Sequence, residues 1–268
     1  MQRINDTDER PTPCRVYAVT SGKGGVGKSS IAVNLSITLA GAGMRVLLID
    51  ADMGLANIDL MTGVSASHTI EEVIRGEASI FDAIVDGPKN LTILSAGSGT
   101  GKIREMGEES AARFRAELLK LENAFDIVFI DTGAGISANV IDFVFMAEEV
   151  IVVMTPEPTA FADAYVMVKV VSLDKPLMQM GIIVNMAKSD TEAENISTKF
   201  GVIVGRFLGK SIRYHGFIPQ DAVVTESIMR QVPLALYAPK SAPMHSFRKI
   251  ARELLGIKAT KRNGLFNR

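Results

Sequence analysis

Ser21-Gly22-Lys23-Gly24-Gly25-Val26-Gly27-Lys28-Ser29 follows directly on the apolar run Val16-Tyr17-Ala18-Val19-Thr20 and precedes a segment, Ile31 to Ala42, with helical spacing and little Gly or Pro. The loop satisfies G-x-x-x-x-G-K-[ST]. In that pattern backbone N–H groups cradle phosphates, a lysine reaches the terminal ones and a hydroxyl takes Mg²⁺. Glycines are needed because the backbone turns tightly and approaches phosphate oxygens with no Cβ in the way. A helix opening after the loop turns the positive end of its dipole toward the anion. Gly22, Gly24 and Gly27 also satisfy G-x-G-x-x-G, but a dinucleotide-binding turn has no use for Lys28-Ser29. The loop therefore reads as a nucleoside triphosphate site.

The strands that follow supply acids to that loop. Arg45-Val-Leu-Leu-Ile-Asp50 is an apolar run ending in a carboxylate, as expected of a parallel strand buried on both faces. A right-handed β-α-β crossover places its end on the same sheet edge as the loop, so Asp50 and Asp52 fall beside the phosphates. The short loop Ala51 to Asp59 then reads as a switch that senses the γ-phosphate. Asp126-Ile-Val-Phe-Ile-Asp131 repeats the pattern and is followed by Thr132-Gly133-Ala134-Gly135-Ile136, so Asp131 is expected to organise Mg²⁺ and its waters.

Further strands are expected at Leu91–Leu94, Glu149–Met154, Gly181–Asn185 and Ile212–Ile218. Helices are expected at Lys28–Gly41, closed by Gly41-Ala42-Gly43, and at Thr69–Gly76, Glu108–Glu122, Thr159–Ser172, Thr191–Leu208 and Ser246–Leu255. Ser95 to Gly101 reads as a flexible loop. This alternation implies an α/β fold of the P-loop NTPase kind: a doubly wound, mostly parallel sheet of about seven or eight strands, helices on both faces, and the ligand at the carboxyl edge. Asn185 stands at a strand end, where an amide can meet a base.

The chain has 268 residues, 47% of them apolar, and neither an internal repeat nor a linker-like stretch. We expect one domain over 15–257, a flexible segment at 1–14 and a basic, partly apolar tail at 258–268. A formal net charge of −1 gives no global electrostatic case for nucleic acid. The single Cys14 excludes a disulfide or C-x-x-C metal site within one chain, and His68, His215 and His245 stand apart in sequence, so no metal beyond Mg²⁺ is expected. Met1 to Pro13 lacks the apolar centre of a signal peptide, and no run is long enough to span a bilayer. A cytoplasmic protein, soluble or peripheral at the inner face of the membrane, is expected.

The second lysine early in the loop, Lys23 in Lys23-Gly24-Gly25-Val26-Gly27-Lys28-Ser29, resembles the mark of the deviant Walker A ATPases, the family of MinD and ParA. Asp50-Ala-Asp-Met-Gly-Leu-Ala-Asn-Ile-Asp59, Ser95-Ala-Gly-Ser-Gly99 and Thr155-Pro-Glu-Pro-Thr-Ala-Phe-Ala-Asp-Ala-Tyr165 are similar to its flagellar branch, called FlhG, FleN or YlxH. The similarity runs from Arg15 to Leu255. It implies a slow, Mg²⁺-dependent ATPase that dimerises with ATP, relaxes to a monomer with ADP, and regulates flagellar number or placement. A MinD-like role in cell division or a ParA-like role in DNA partitioning is the alternative.

Carried over residue by residue, the resemblance puts Gly22, Lys23, Gly24, Gly25, Val26, Gly27, Lys28, Ser29 and Ser30 on the nucleotide. Lys23 would cross a homodimer interface to the partner's phosphates, and Asp52 would orient the attacking water, so Lys23, Lys28 and Asp52 form the catalytic set. Ser29, Asp50 and Asp131 would serve the metal, and Asn185 and Asp221 the adenine. Implied partners are a second copy, the flagellar GTPase FlhF, a flagellar transcription regulator and basal-body proteins, with peripheral membrane contact through the tail. Met1 to Cys14 lacks the D-Q-A-x-x-L-R motif with which many members stimulate FlhF, so activation of that GTPase is not implied.

Overall fold

The strand preceding the loop lies near the middle of the sheet. In the computed structural model, which describes residues 14–52, 57–96, 107–121 and 124–256, the elements run β1 (Arg15–Ser21), α1 (Lys28–Ala40), β2 (Val46–Ala51), α2 (Asn57–Thr62), α3 (Ile70–Arg75), α4 (Ile80–Ala83), β3 (Ile84–Asp86), β4 (Thr92–Leu94), α5 (Glu108–Leu119), β5 (Ile127–Ala134), α6 (Ala138–Val144), β6 (Glu149–Met154), α7 (Pro158–Asp174), β7 (Gln179–Ala187), α8 (Asp190–Leu208), β8 (Arg213–Pro219), α9 (Ala222–Met229), α10 (Leu234–Tyr237) and α11 (Ala242–Leu254). Eight strands form one sheet in the order β3-β4-β2-β5-β1-β6-β7-β8. All neighbours are parallel except β3 and β4.

The sheet order explains where the ligand edge lies. From β1 the chain first fills the β2, β4 and β3 side, returns to β5 beside β1, then crosses to β6, β7 and β8. A crevice opens at the carboxyl ends where the winding reverses, next to β1, and the glycine-rich loop begins there. Strand alternation builds the two faces. On one, Leu47, Ile49, Val150 and Val152 pack with Val73, Phe114, Phe143, Val168 and Phe200 from α3, α5, α6, α7 and α8. On the other, Leu48, Ile151 and Val153 pack with Ile31, Leu35 and Leu39 of α1 and with Met244, Phe247 and Ile250 of α11. The expected last helix thus packs on the sheet, beginning four residues earlier than read, at Ala242.

Gly41-Ala42-Gly43 closes α1 as expected, with Gly41 still in right-handed helical geometry and Gly43, at φ 92°, making the left-handed turn. Two other local expectations need correction. The edge hairpin β3–β4 was not foreseen. Lys89 and Asn90 both take positive φ between Pro88 and Leu91, and Leu91 N–H donates to the Pro88 carbonyl at 3.1 Å, a tight turn that suits antiparallel strands. Strand β5 continues through Thr132 and Gly133 to Ala134 instead of stopping at Asp131. The expected N-terminal segment and tail, residues 53–56, and most of the Ser95–Gly101 loop lie outside the described residues.

Candidate nucleotide site

Two glycines of the loop are conformationally required, Gly25 at φ 79° and Gly27 at φ 91°, both in the left-handed region that L side chains avoid. Two contacts add a steric demand. A Cβ at Gly22 would stand 2.1 Å from the Asp163 carbonyl oxygen on α7, and one at Gly27 would stand 2.3 Å from Asn185 Nδ2. Ser21 Oγ donates to the Lys23 carbonyl at 2.6 Å, which tightens the first turn. Helix α1 starts at Lys28 with no side-chain cap and no acid in its first turn. Its N-terminal dipole is therefore not offset by a carboxylate of its own first turn.

The acids meet directly below. Asp50 and Asp131 are Cα partners on β2 and β5, and both are completely buried. Burial pushes Asp131 up to about 7; Ser29 and Lys28 oppose the rise and Asp52 adds to it. The Ser29 hydroxyl is near enough to act on the carboxylate, yet neither oxygen of Asp131 meets the geometry of a hydrogen bond. Asp50 is pushed well above the usual carboxylate range by burial and by Asp131, although the N–H groups of Asp52, at 3.1 Å, and Ile58, at 3.3 Å, donate to it. Burial lowers the Lys28 ammonium, against the pull of Asp131 and Asp52.

The buried Asp131 and the half-buried Asp52 thus share one lysine, Asp50 adds a second buried carboxylate beside Asp131, and the region is short of positive charge. Mg²⁺ fits this donor set: the ion keeps several waters and binds through one or two carboxylates plus phosphates. No group of three or more His, Cys, Asp or Glu among the described residues is arranged to hold a metal without such a ligand.

The end of β5 is tied to β1, the strand that leads into the phosphate loop: Gly135 N–H, just after β5, donates to the Ser21 carbonyl at 2.9 Å, and Thr132 Oγ1 donates to the Val19 carbonyl at 3.2 Å. Gly133 lies against Asp52, whose Oδ1 would be 3.5 Å from a Cβ there. Asp52 therefore lies against the end of β5 and near enough to Lys28 to act on its charge.

The remaining expected residues fall as follows. Lys23 Nζ, about two-fifths exposed, donates to Glu157 Oε2 at 2.7 Å and to Thr159 Oγ1 at 3.1 Å at the start of α7. Ser30 accepts from Asn34 Nδ2 at its carbonyl, at 2.8 Å, and Asn34 Oδ1 in turn accepts from Ala235 N–H at 2.8 Å, so the first turns of α1 are braced against α10. Asn185 does not stand free at its strand end. Its Nδ2 donates to the Val26 carbonyl at 2.7 Å and its Oδ1 accepts from Met186 N–H at 3.0 Å. Asp221 caps α9, accepting from Val223 N–H at 3.0 Å. Both lie at the carboxyl ends of β7 and β8.

Sequence reading gave no role to Glu157, Thr159 or Asp163, although all three belong to the block Thr155–Tyr165 that carried the resemblance. Nor did it give a role to Ser95, although Ser95 opens the similar stretch Ser95–Gly99; its hydroxyl donates to Asp59 Oδ2 at 2.7 Å and joins α2 to the end of β4.

A family described as an AAA domain matches residues 14–180. The antiactivator FleN of Pseudomonas aeruginosa is 35% identical over 242 residues, covering 90% of this chain and 86% of its own. The chain belongs to the MinD/ParA family of deviant Walker A ATPases, in the branch of FleN and YlxH. Within that branch, the flagellum site-determining protein YlxH of Helicobacter pylori is 32% identical over 239 residues, covering 88% of this chain and 80% of its own. Among solved structures of the family, the septum site-determining protein MinD of Pyrococcus horikoshii, complexed with Mg-ADP, superposes with a TM-score of 0.73 at 27% identity, covering 92% of this chain and 99% of that one. The doubly wound P-loop fold expected from sequence is the fold observed.

Proposed function

We propose that this chain is an ATP-dependent dimerisation switch that regulates flagellar number or placement. The observation that carries the reading is the convergence of Lys28 and Ser29, at the uncapped start of α1, on the fully buried Asp131, whose oxygens have no hydrogen-bond partner. A site built this way calls for a phosphate and a cation together.

In this reading the loop N–H groups from Gly24 to Gly27 bind the β- and γ-phosphates, and Lys28 holds their charge. Ser29 and Asp131 are the groups that would hold Mg²⁺, which when bound neutralises phosphate charge as the leaving group departs. Asp52 orients the attacking water from its place beside the end of β5 and Lys28. Lys23 leaves Glu157 and Thr159 and reaches the phosphates of a second copy, where a cation is worth most in a water-poor interface. Loss of the γ-phosphate releases Asp52 and the dimer opens. The output is an assembly state rather than a chemical product.

The flagellar assignment is supported by FleN and YlxH at about one-third identity over most of each chain. FlhF, a flagellar transcription regulator and basal-body proteins are the partner classes this role supplies. Among the described residues no helix is long and apolar enough to cross a membrane; peripheral contact through the tail is part of the proposal.

Asp52→Ala tests the switch. It should bind ATP, lose turnover and elute as a dimer in ATP on size-exclusion chromatography. A protein that binds ATP but stays monomeric overturns the dimer model. Deleting the gene and counting flagella per cell tests the role, and normal number and placement refute it.

The MinD relatives favour a second reading, placement of the division septum. ATP-dependent sedimentation with liposomes together with unchanged flagellation would select it. Steeply salt-dependent binding to nonspecific DNA would select a partitioning role instead.

A further inference from the structure

We propose that Asp50 is a positioning residue, which holds Asp52 and the first turn of α2 in place, and that Asp131 alone of the two paired carboxylates answers to Mg²⁺ and the phosphates. This rests on the nucleotide reading above and divides between two residues a role the sequence assigned to both.

Three observations separate the pair. First, the two oxygens of Asp50 are already engaged, Oδ1 by Asp52 N–H and Oδ2 by Ile58 N–H. One donor immediately follows β2 and the other lies in α2, so a single side chain pins the chain at two points. Second, both oxygens of Asp131 are buried with no hydrogen-bond partner. A cation or its waters would find both of its oxygens open. Third, the neighbours differ. Ser29, Lys28 and Asp52 act on Asp131, whereas Asp50 is surrounded by Asp131, Asp52 and the two backbone N–H groups. The groups of the phosphate loop converge on one carboxylate, and the backbone around Asp52 and α2 converges on the other.

The geometry also suits the chemistry asked of Asp52. A water-orienting carboxylate must be held to within a fraction of an ångström, and its own backbone is fixed here from the floor of the sheet. Asp50 does not touch the reacting atoms and acts through Asp52.

Asp50→Asn and Asp131→Asn distinguish the roles. Each variant is first checked for cooperative thermal unfolding, and if Asp50→Asn does not fold, Asp50→Glu takes its place, since it moves both oxygens by one methylene while keeping the charge. In the nucleotide-free, metal-free protein, hydrogen exchange of the Asp52 and Ile58 amides should speed up about tenfold in the Asp50 variant and stay unchanged in Asp131→Asn. In a Mg²⁺ titration of fluorescent ADP binding, the half-saturating Mg²⁺ concentration should rise about tenfold or more in Asp131→Asn and less than about twofold in the Asp50 variant. Equal Mg²⁺ shifts in the two variants, or unchanged exchange in the Asp50 variant, overturn the proposal. A wild-type protein that binds no ADP at any Mg²⁺ concentration refutes the nucleotide reading itself.

Discussion

Lys23 Nζ lies 2.7 Å from Glu157 Oε2, so the lysine that marks the family is held in the single subunit by the first turn of α7. Release of that contact must precede any reach toward a second copy. The pair is partly exposed, and such bridges contribute at most about 1 kcal/mol. Glu157→Gln is therefore expected to lower the ATP concentration for half-maximal dimerisation by up to about fivefold while leaving ATP binding to the monomer unchanged. Analytical ultracentrifugation over an ATP series reads both. A midpoint that moves upward would mean Glu157 stabilises the dimer, and the parking role would be wrong.

The buried Asp131 carries a prediction about stability. Its folded-state value, about 7, lies above the ordinary value of 3.8. An acid raised in this way stabilises the fold fully below its unfolded pKa, and that contribution is lost as pH rises from about 4 through 7. Asp131→Asn removes the ionisation. At pH 8 and without nucleotide the variant should be more stable than the parent by about 1–3 kcal/mol, an advantage that disappears by pH 4. Its ATPase activity should fall to background. Denaturant melts at pH 4, 6 and 8 provide the check, and an advantage that does not grow with pH refutes the argument.

How much of this was legible before folding depended on how locally each feature is encoded. Asp50 and Asp131 could be placed on one edge because each ends an uninterrupted apolar run, and parallel strands put such ends together. Nothing local marks which of the two is pinned by backbone N–H groups, because that depends on where α2 packs. Glu157 was quoted but given no task, since its partner Lys23 is 134 residues away in the chain. The strand Ile84–Asp86 is too short for its alternation to rise above background, and its pairing depends on the turn at Lys89–Asn90.

His215, read in the sequence as an isolated histidine, joins the last helix to the sheet. Its Nε2 is 2.8 Å from Glu149 Oε1 on β6 and its Nδ1 meets Glu253 Oε2 on α11. Gly181 makes room, since a Cβ there would stand 2.1 Å from Nε2. Burial lowers the imidazole, but the hydrogen bonds its ring N–H groups donate to the two carboxylates outweigh it and the net shift is upward. Arg213 on the same strand lies 3.5 Å from Glu149, while Arg15 and Tyr17 of β1 hold the Leu254 carbonyl beside Glu253. A histidine raised by its partners stabilises the fold fully below its unfolded value near 6.5, and that stability is lost as pH rises through the folded value. The stability difference between wild type and His215→Gln should therefore be largest near pH 6 and shrink above it, and exchange of the amides from Lys249 to Leu254 should quicken in parallel. A difference that is flat from pH 6 to 9 rules this out.

Asn185 permits a sharper test of what its amide does. Its Nδ2 donates to the Val26 carbonyl and occupies the space a Cβ at Gly27 would need, so the side chain supports the phosphate loop from β7. Truncation to alanine leaves that carbonyl without its donor and opens space under a left-handed turn, at a cost of about 1–3 kcal/mol. Because the loop grips phosphates and not the base, the loss should be the same for every nucleotide: ADP and GDP affinities should both fall, by similar factors of about tenfold, in Asn185→Ala. A fall confined to ADP would instead show that the amide reads adenine. Calorimetric titration with both nucleotides decides between loop support and base recognition.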